Sequence, residues 1–561
     1  MKKIKELFFN KKAMIVGGIV SFLFSYSFFF GFLCHSDRYS FKPYQPFVFV
    51  LLWIGFFVLI NSGWYLLDLL FSRTEKKRED TGEKEEPIPV KKLTVLFFAG
   101  FAAIILAWIP CWLVSYPGFF VYDSGKEFVQ IWYEDIPVWG RIPIIHSCIL
   151  KLLCQAGLKL SGNFNAGIAM FSWIHMIIGA IAFSYESVFL YGYTKKIWIY
   201  IASVLYFMFS PVIVLFSGCS NSTIFGSALA VLMILKFYEI FFDGSFAKKS
   251  KGFRIFEIIA FVMISILTCH SRSSFTSLFC ALTVIQLIFS LIRRAALKRI
   301  IVNTVCLAVL LAGAFLFNRG IILVFDAETP PDSELLSVPL QQLANVYVKR
   351  GDEAFSKEDE DILLNYYSAD HFQYFCYWCA DPIKLGLNEA EFDSNVLPFW
   401  KLWIKYGVKY PGDYLEAWNY LTYQAWYPLC EPDGYTRRNY VESEYRSDFF
   451  KDNLEAPAEF ANLFPKAFEI VHWFSTEAYV HRIPFIGQIS TIGYQYLILL
   501  FILGFGLSKK RGRFTALLWA NLFYFAVMLF APLVLIRYHL ILFYLMPVTL
   551  GNLKINGNTN S

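Results

Sequence analysis

The sequence predicts an all-α polytopic integral membrane protein with about 12 transmembrane helices. Of its 561 residues, 57% are hydrophobic and 19% are aromatic, and the mean hydropathy of +0.48 is well above that of soluble domains. Apolar runs of about 18 residues or more recur along the chain, and each is long enough to cross a bilayer as a helix. Lys and Arg residues cluster in every second connection between these runs, as expected for alternating sides of a membrane.

The predicted spans follow one another with short connections except in one place. They lie at residues 14–34, 45–72, 93–115, 165–191, 197–216, 223–242, 255–270, 274–292, 300–318, 491–507, 514–531 and 536–552. The first run is too long for a signal peptide and has no small-residue cleavage site, so we expect it to remain as an anchor. The net charge of +6 does not indicate a nucleic-acid partner, because the basic residues lie in short loops beside the spans. The predicted partners therefore include membrane lipids and no nucleic acid.

Basic loops set the predicted orientation. They lie in the N-terminal tail and at 73–92, 195–196, 248–254, 293–299 and 509–513. With about twelve spans, all of these loops fall on one side of the membrane, and the positive-inside rule makes that side cytoplasmic. We therefore expect both termini to be cytoplasmic and Asp123 to lie on the opposite, extracytoplasmic side.

One connection, residues 319–490, differs in kind because it contains no span. It carries about two acidic residues for each basic one, and its parity makes it extracytoplasmic. Helical periodicity around Val338–Lys349 and Pro398–Tyr406, with an N-cap at Ser356, predicts a mostly helical cap. Its aromatic residues suit either stacking on a sugar ring or the domain's own core and an interfacial belt. The predicted domains are the membrane region 1–318, the cap 319–490 and the membrane region 491–561.

The loop at 116–164, after the third predicted span, contains the strongest candidate site. Asp123 is an acidic residue at a membrane face, where a carboxylate beside hydrocarbon is costly and is usually kept for function. A simpler role also stays open, since Asp is a preferred N-cap residue and a helix is predicted from near Gly125. Two amphipathic segments, Gly125–Tyr133 and Ile142–Leu160, are not clean spans, so we expect both to lie in the membrane interface.

Several short motifs occur in a fixed order along most of the chain. They are Tyr116-Pro117-Gly118, Tyr122-Asp123-Ser124, Pro143-Ile144-Ile145-His146-Ser147, Val338-Pro339-Leu340-Gln341-Gln342-Leu343-Ala344, Tyr410-Pro411-x-x-Tyr414 and Ile536-Arg537-Tyr538. This ordered set, with an acidic loop followed by two interfacial helices, resembles an uncharacterised family of bacterial polytopic membrane proteins assigned to the C superfamily of membrane glycosyltransferases (GT-C). Two positions depart from it: Ile142 replaces a common His, and Ser124 stands where several glycosyltransferases of the superfamily have a second acid. The nearest other carboxylate is Glu127, one helical turn on.

The resemblance implies a fold and a reaction. It implies a GT-C-like fold in the bacterial plasma membrane, and transfer of a sugar from a polyprenyl-phosphate donor to a cell-envelope glycan, lipid or protein on the extracytoplasmic face. Asp123 is then the candidate general base for the acceptor hydroxyl, since a low-dielectric rim raises carboxylate basicity. The departures leave the cofactor open: either none, or a divalent cation, Mg²⁺ or Mn²⁺, with Asp123 as its ligand.

The leaving phosphate needs a cation, and Arg suits this role because its planar fork binds phosphate at two points and stays charged. Arg272 and Arg537 are the main candidates, because each lies in an otherwise nearly uncharged turn. Arg272 also fits a simpler role, in which it snorkels to lipid head groups. The weaker candidates for phosphate binding and other site roles are Lys126, Arg141, Glu127, His146, Gln341, Gln342, Tyr538 and His539. For His146 and the two glutamines, a structural role stays the alternative.

Two other functions stay open, namely a membrane transporter or lipid flippase, and a non-catalytic partner in cell-envelope assembly. Transporters place charged or broken-helix elements near the membrane midplane, whereas the predicted spans are nearly free of charge. The exceptions, Glu186 and Lys236, lie near a span's cytoplasmic end, and we expect them to snorkel. Cys376, Cys379 and Cys430 leave a disulfide open, and the lone Cys-x-x-Cys argues against a metal site.

Overall fold

Helices account for all the regular secondary structure of the described chain. The structure, a computed structural model, describes residues 11–37, 39, 42–81, 88–119, 122–132, 137–244, 246–329, 333, 336–430, 463–476, 483–509 and 514–553. Within these residues, pairing outside helices is limited to isolated bridges between single residues. The all-α class predicted from the sequence is therefore confirmed for the described part of the chain.

The helices are numbered in chain order. The first group is α1 (Lys11–His35), α2 (Gln45–Thr81), α3 (Val90–Val114), α4 (Tyr122–Trp132), α5 (Ile144–Ser161), α6 (Asn165–Thr194), α7 (Ile197–Phe209), α8 (Pro211–Ser217), α9 (Ser222–Phe241), α10 (Lys251–Ser271), α11 (Ser273–Ile292) and α12 (Leu297–Val324). The second is α13 (Ser337–Arg350), α14 (Lys357–Tyr366), α15 (Asp381–Lys384), α16 (Glu389–Ser394), α17 (Val396–Lys409), α18 (Pro411–Trp426), α19 (Pro465–Thr476) and α20 (Ile486–Ile489). The last is α21 (Ile492–Lys509), α22 (Thr515–Met528), α23 (Leu540–Tyr544) and α24 (Met546–Gly551), and short 3-10 helices occur at Phe246–Lys248, Asp352–Ala354, Ala369–Tyr374 and Ile536–His539.

Nine helices of the described chain are long and apolar enough to cross a membrane, namely α1, α2, α3, α5, α6, α9, α10, α11 and α12. A tenth span results if α7 and α8 count as one, although they meet at 59° where Pro211 begins α8. The three predicted C-terminal spans are shorter apolar helices, at Ile492–Ser508, Thr515–Met528 and Ile536–Gly551. A polytopic membrane protein is thus confirmed, while the helices that meet the length of a span number nine or ten against the predicted twelve.

Helix α5 has the composition of a span, although the sequence predicts an interfacial helix here. Its mean hydropathy of 1.3 is the lowest among the nine candidates. After α5 the chain turns back at Gly162 and packs along α6, where a Cβ on Gly157 would come within 2.3 Å of the Gly167 nitrogen. Trp112, near the end of α3, donates to Ser172 Oγ at 2.8 Å, so the earlier residues of α6 extend beyond α3. Helix α5 lies beside this extension, and its interfacial position stays a prediction.

The turns on one side of the bundle are held together by backbone contacts. Phe119 pairs with Cys219, and Trp139 pairs with Glu328, in isolated parallel bridges. Residues after α12 rest on the same side, since the Ala380 amide donates to the Pro532 carbonyl at 2.8 Å. We call this side the capped end, and residues 336–430 the cap domain.

The cap domain has a hydrophobic core of its own. Leu340, Leu363 and Phe399 are almost completely buried in it, together with the rings of several tyrosines. Helices α13 and α17 contain the two helical segments predicted from periodicity, which confirms them. The predicted N-cap is also confirmed, because Ser356 Oγ accepts a hydrogen bond from the Asp359 amide at 3.3 Å. Most aromatic side chains of this region therefore serve its core.

Helix α18 fastens the cap domain to α1. Asn419 is fully buried, and its side chain accepts a hydrogen bond from the Tyr26 hydroxyl at 2.5 Å and donates to the Tyr39 hydroxyl at 2.7 Å. Helix α12 continues to Val324, past the predicted end of this span at 318. All eleven cysteines are free thiols, including Cys376, Cys379 and Cys430.

Two charged residues lie inside spans, and one of them departs from the prediction. Glu186 on α6 is fully buried, and its Oε1 accepts a hydrogen bond from the Val548 amide at 3.2 Å. Lys236 on α9 is mostly buried and forms ion pairs with Glu239 at 2.9 Å and Glu257 at 3.0 Å. The prediction that Glu186 snorkels is therefore wrong, because its carboxyl is enclosed by the bundle. The snorkelling of Lys236 stays a prediction, since its partner Glu257 also pairs with Lys249, which belongs to the loop before α10.

Candidate functional site

The motif Tyr116-Pro117-Gly118 brings the end of α3 against residues 218–223, which we call the α9 turn. The amide and the carbonyl of Phe119 both pair with this turn, over distances of 3.0 Å. Gly118 has a φ of +139°, which side chains rarely allow, and a Cβ there would lie 2.9 Å from the Ser172 Cβ. The motif therefore fixes the entry to α4 beside the α9 turn.

Asp123 lies in the first turn of α4. The helix begins at Tyr122, before the predicted start near Gly125, so Asp123 is not at the capping position that the simpler role requires. The next residue, Ser124, is fully buried and donates to the Ser220 carbonyl at 2.6 Å. The side chain of Asp123 lies outside the described part of the structure, and the backbone places this residue beside the α9 turn.

Arg272 and Arg537 meet on one aromatic ring. Arg272 lies in the extended break between α10 and α11, and its guanidinium carbon is 3.6 Å from the centroid of the Tyr538 ring. Arg537 lies in the adjacent 3-10 helix, and its guanidinium carbon is 5.3 Å from the same centroid. Arg272 also donates from Nη1 to Thr223 Oγ1 at 3.3 Å. The two arginines selected from the sequence therefore share one place with the α9 turn.

Buried polar groups surround these arginines. His539 is fully buried, its Nδ1 donates to the Leu535 carbonyl at 3.1 Å, and its Nε2 has no hydrogen-bond partner among the described residues. Tyr524 on α22 is also fully buried, and its hydroxyl is close enough to Arg272 and Ser274 to interact electrostatically. Because buried polar atoms are normally paired, an unpaired Nε2 in this position is suited to a ligand or water.

A second group of buried polar side chains lies further along α4. Glu127 is 1% exposed, its Oε1 accepts from the Ser222 amide at 3.3 Å, and its Oε2 lies 2.8 Å from His146 Nδ1. His146 Nε2 in turn lies 2.9 Å from His175 Nε2, and His175 Nδ1 bonds the Cys219 carbonyl. The predicted interfacial helix gave no reason to expect a buried carboxylate here. The structure places Glu127 against the α9 turn and His146 instead.

Further hydrogen bonds join α5 to α4 and to the end of α10. Gln130 Nε2 donates to Ser147 Oγ at 2.8 Å, which joins α4 to α5. His270 Nε2 accepts from the Ile145 amide at 3.2 Å, and its Nδ1 bonds Asn318 Oδ1 at 2.8 Å. His146 is thus positioned from both sides, by α4 and by the ends of α10 and α12.

The weaker sequence candidates lie at the edge of this region or inside the cap domain. Lys126 is partly buried on α4, and Arg141 is exposed in the turn that pairs with Glu328. Gln342 accepts from Trp403 Nε1 at 2.9 Å, within the cap domain.

Gln341 supports the part of the cap domain that covers Tyr538. It is fully buried and donates from Nε2 to the Cys376 carbonyl. Cys376 packs with Leu533 and Leu535 beside the Tyr538 ring. The cap domain therefore closes one side of the arginine pair.

The described side chains do not form a metal centre. No group of three or more His, Cys, Asp or Glu side chains among them is arranged to hold an ion. Burial raises the pKa of the Cys379 thiol to about 12, so this thiol is protonated at neutral pH. The divalent cation that the resemblance leaves open therefore has no preformed site in the described side chains.

Sequence reasoning did not select His175, His270 or Tyr524. His175 and Tyr524 lie inside apolar runs, where a polar ring is easily read as part of the packing. A signal was present, since His146, His175 and His270 each lie within a few turns of the same predicted membrane face. Only the packing of α5 on α6 shows that the rings of His146 and His175 meet, and that His270 bonds the Ile145 amide beside them.

Comparisons with known proteins give one match. No curated protein and no solved structure matches the chain. The model of one protein family matches residues 143–554, which is more than half of the chain and includes His146, Arg272 and Arg537. The chain belongs to this family, which is described as a family of unknown function, DUF6020.

Proposed function

We propose that the protein is an integral membrane glycosyltransferase of the GT-C type. It transfers a sugar from a polyprenyl-phosphate donor to a cell-envelope acceptor at the capped end, with Asp123 as the general base. The proposal places the capped end on the extracytoplasmic side of the plasma membrane, and both termini in the cytoplasm. The observation that chiefly supports it is the meeting of Arg272 and Arg537 on the Tyr538 ring.

Two guanidinium groups at one ring are a specific reason to propose an anionic ligand. Like charges repel, and the repulsion is stronger where water is partly excluded. A phosphate between them would remove this repulsion, and each guanidinium can donate two hydrogen bonds to it. A polyprenyl-phosphate donor fits because its phosphate would lie at the end of the spans while its chain remains in the lipid.

The position of Asp123 supports the base. It lies in the first turn of α4, beside the α9 turn that Arg272 contacts through Thr223. A carboxylate near the bound phosphate would take the proton of the acceptor hydroxyl as that oxygen attacks the anomeric carbon. Arg272 and Arg537 would stabilise the negative charge that the leaving phosphate gains, a role typically worth about 10²–10³-fold in rate.

The first test is binding of polyprenyl phosphate, without a sugar, to the purified protein in nanodiscs. We expect Arg272→Gln and Arg537→Gln each to raise the Kd about 10- to 100-fold, as for loss of one charge-assisted hydrogen-bonding partner. Arg299→Gln is the matched control, because Arg299 is exposed and lies at the start of α12, away from the capped end. Equal affinities in all four proteins would contradict the proposal.

A transporter is the second candidate, and Glu186 is the observation that favours it. Its carboxyl is fully buried in α6, and its Oε2 has no hydrogen-bond partner among the described residues. Ionisable groups inside membrane spans often serve proton or ion transport. A transporter predicts that Glu186→Gln abolishes function, whereas the transferase predicts that the variant keeps its function once folded.

A further inference from the structure

The hydrogen bonds around His175 and His146 fix where the protons lie. The Cys219 carbonyl can only accept, so His175 carries its proton on Nδ1 and, when neutral, presents a bare Nε2 to His146. His146 must then donate from Nε2 across the 2.9 Å contact. Both assignments follow from a backbone carbonyl, which does not change its role with pH.

With its proton on Nε2, His146 faces Glu127 with an unprotonated Nδ1, so two acceptor atoms lie opposite each other. A neutral His146 with its proton on Nε2 has a lone pair on Nδ1, and Nδ1 is 2.8 Å from Glu127 Oε2. The two atoms are close enough for an ion pair but are not aligned for a straight hydrogen bond. Neither atom has a hydrogen-bond partner among the described residues. Two bare acceptors in a buried place repel, so one proton has to lie on one of them.

The surroundings keep this proton away from bulk water. Glu127 is 1% exposed, and His146 and His175 are each 5% exposed. The rings of Phe171 and Phe225 pack against both imidazoles, with centroids 4.7 to 5.6 Å away. Bulk water therefore does not reach Glu127 Oε2 or His146 Nδ1.

We propose that Glu127, His146 and His175 form a buried proton-binding site, and that this site receives the proton which the sugar acceptor loses during transfer. The second half rests on the proposed function, whereas the proton-binding site does not. Position 123 lies one helical turn before Glu127 on α4, so the proposed base and the site are neighbours along one helix. Among the described residues, the other charged or titratable groups nearby include Lys126, Lys151, Cys219, His270, Arg272 and Arg537.

The reaction balances with the site as a temporary acceptor. The acceptor O–H bond breaks, its oxygen bonds to the anomeric carbon, and the carbon–phosphate oxygen bond breaks with its electron pair left on the phosphate. The proton moves through the Asp123 carboxylate to the Glu127–His146 pair. The Glu127 carboxyl and His146 Nδ1 are then both protonated, and with the proton already on His146 Nε2 the pair carries one positive charge. The leaving phosphate gains one negative charge in the same step, so the site offsets it electrostatically. The proton returns to water when the products leave.

The binding site is tested directly by NMR on the wild-type protein labelled with ¹⁵N-histidine. A hydrogen bond between two imidazole nitrogens gives a scalar coupling between them, and we expect one Nε2–Nε2 coupled pair. His146→Gln and His175→Gln each remove this pair, and His35→Gln, at an exposed histidine at the end of α1, is the matched control that keeps it. No coupled pair in the wild type, or a His175 without a proton on Nδ1, would overturn the site, whether or not the variants fold.

The role of the site is tested by the pH profile of sugar transfer. We expect the wild-type rate to fall on acidification, because a pair whose Glu127 carboxyl and His146 Nδ1 are both protonated cannot accept another proton. We expect this acid limb to shift in Glu127→Gln. An unchanged profile in Glu127→Gln, with transfer abolished in Asp123→Asn, would overturn the role and leave the proposed function standing. Full transfer in Asp123→Asn would instead overturn the proposed function, and the NMR result would still decide whether the proton-binding site exists.

Discussion

Tyr538 is the residue on which the arginine pair depends. Its ring lies 3.6 Å from the guanidinium carbon of Arg272 and 5.3 Å from that of Arg537. An aromatic face attracts a cation without neutralising it, so the contact with Tyr538 does not itself remove the charge of either guanidinium. Leu533 and Leu535 pack beside the same ring, which excludes water from one side.

Two substitutions at Tyr538 distinguish the contribution of its aromatic ring from that of its hydroxyl. We expect Tyr538→Phe to keep the affinity for polyprenyl phosphate, because the aromatic face remains. Tyr538→Leu removes the face, and the loss of cation–π contacts worth about 1–2 kcal/mol should weaken binding roughly 5- to 30-fold. Titration of both variants with polyprenyl phosphate checks this, and equal weakening in the two would show that the hydroxyl, not the ring, matters.

Among the elements, the α5–α6 hairpin determines whether the buried histidines meet. Gly157 and Gly167 let the two backbones approach so closely that a Cβ on either would overlap backbone atoms of the other helix. His146 and His175 lie further along the same contact, with ring centroids 5.1 Å apart. The two glycines therefore set the spacing of α5 and α6, and the contact between His146 and His175 depends on that spacing.

Gly157→Ala is expected to push α5 away from α6. The new Cβ would meet the Gly167 nitrogen at 2.3 Å, so the helices must separate, and the Nε2–Nε2 coupling of the two histidines should be lost. Gly192→Ala on the same α6 is the control, since nothing lies within 4 Å of its added Cβ. Retention of the coupling in Gly157→Ala would contradict the packing described here.

In the cap domain, ion pairs join α13 to α18. Burial acts to raise the pKa of Asp413, but hydrogen bonds from Arg350 and Lys349 outweigh it, so the pKa lies below the usual value. A carboxyl with a lowered folded-state pKa stabilises the fold above its unfolded pKa of about 3.9, and this contribution is lost as the pH falls through the folded pKa.

Asp413→Asn should therefore flatten the acid dependence of stability. Between about pH 6 and about pH 3, the wild type is expected to lose more thermal stability than the variant, because only the wild type must protonate this carboxylate. Melting curves of the full-length protein in detergent measure the difference. Asp393→Asn, at an exposed carboxylate, is the matched control and should keep the wild-type slope. A wild-type slope in Asp413→Asn as well would count against the ion pairs.

At the scale of the whole molecule, the apolar runs were sufficient to predict an all-helical membrane protein, because helix length and hydropathy are local properties. The same reasoning missed the 59° bend at Pro211 and the short C-terminal helices, since apolar composition alone does not show where a helix breaks. It also misplaced Glu186, whose burial depends on Val548, a residue far along the chain.

The sequence was sufficient to select the charged and motif residues of the candidate site, including His146, Tyr538 and His539, but not their partners. Arg272 and Arg537 stood out because each is isolated in an uncharged turn, and the structure brings them together on Tyr538. His175 could not be selected, because its role depends on the packing of α6 against α5 and the α9 turn. Contacts between distant segments carry the information that periodicity and spacing lack.

The most direct measurement is mass spectrometry of lipid extracts and envelope glycans from deletion cells that carry the wild type or Asp123→Asn. Asp361→Asn, at an exposed carboxylate of the cap domain, is the control for expression and folding. We predict that Asp123→Asn cells accumulate one polyprenyl-phosphate sugar and lack that sugar in the envelope, while the control resembles the wild type. Identical lipids and glycans in Asp123→Asn and wild-type cells, both different from the deletion, would contradict the transferase.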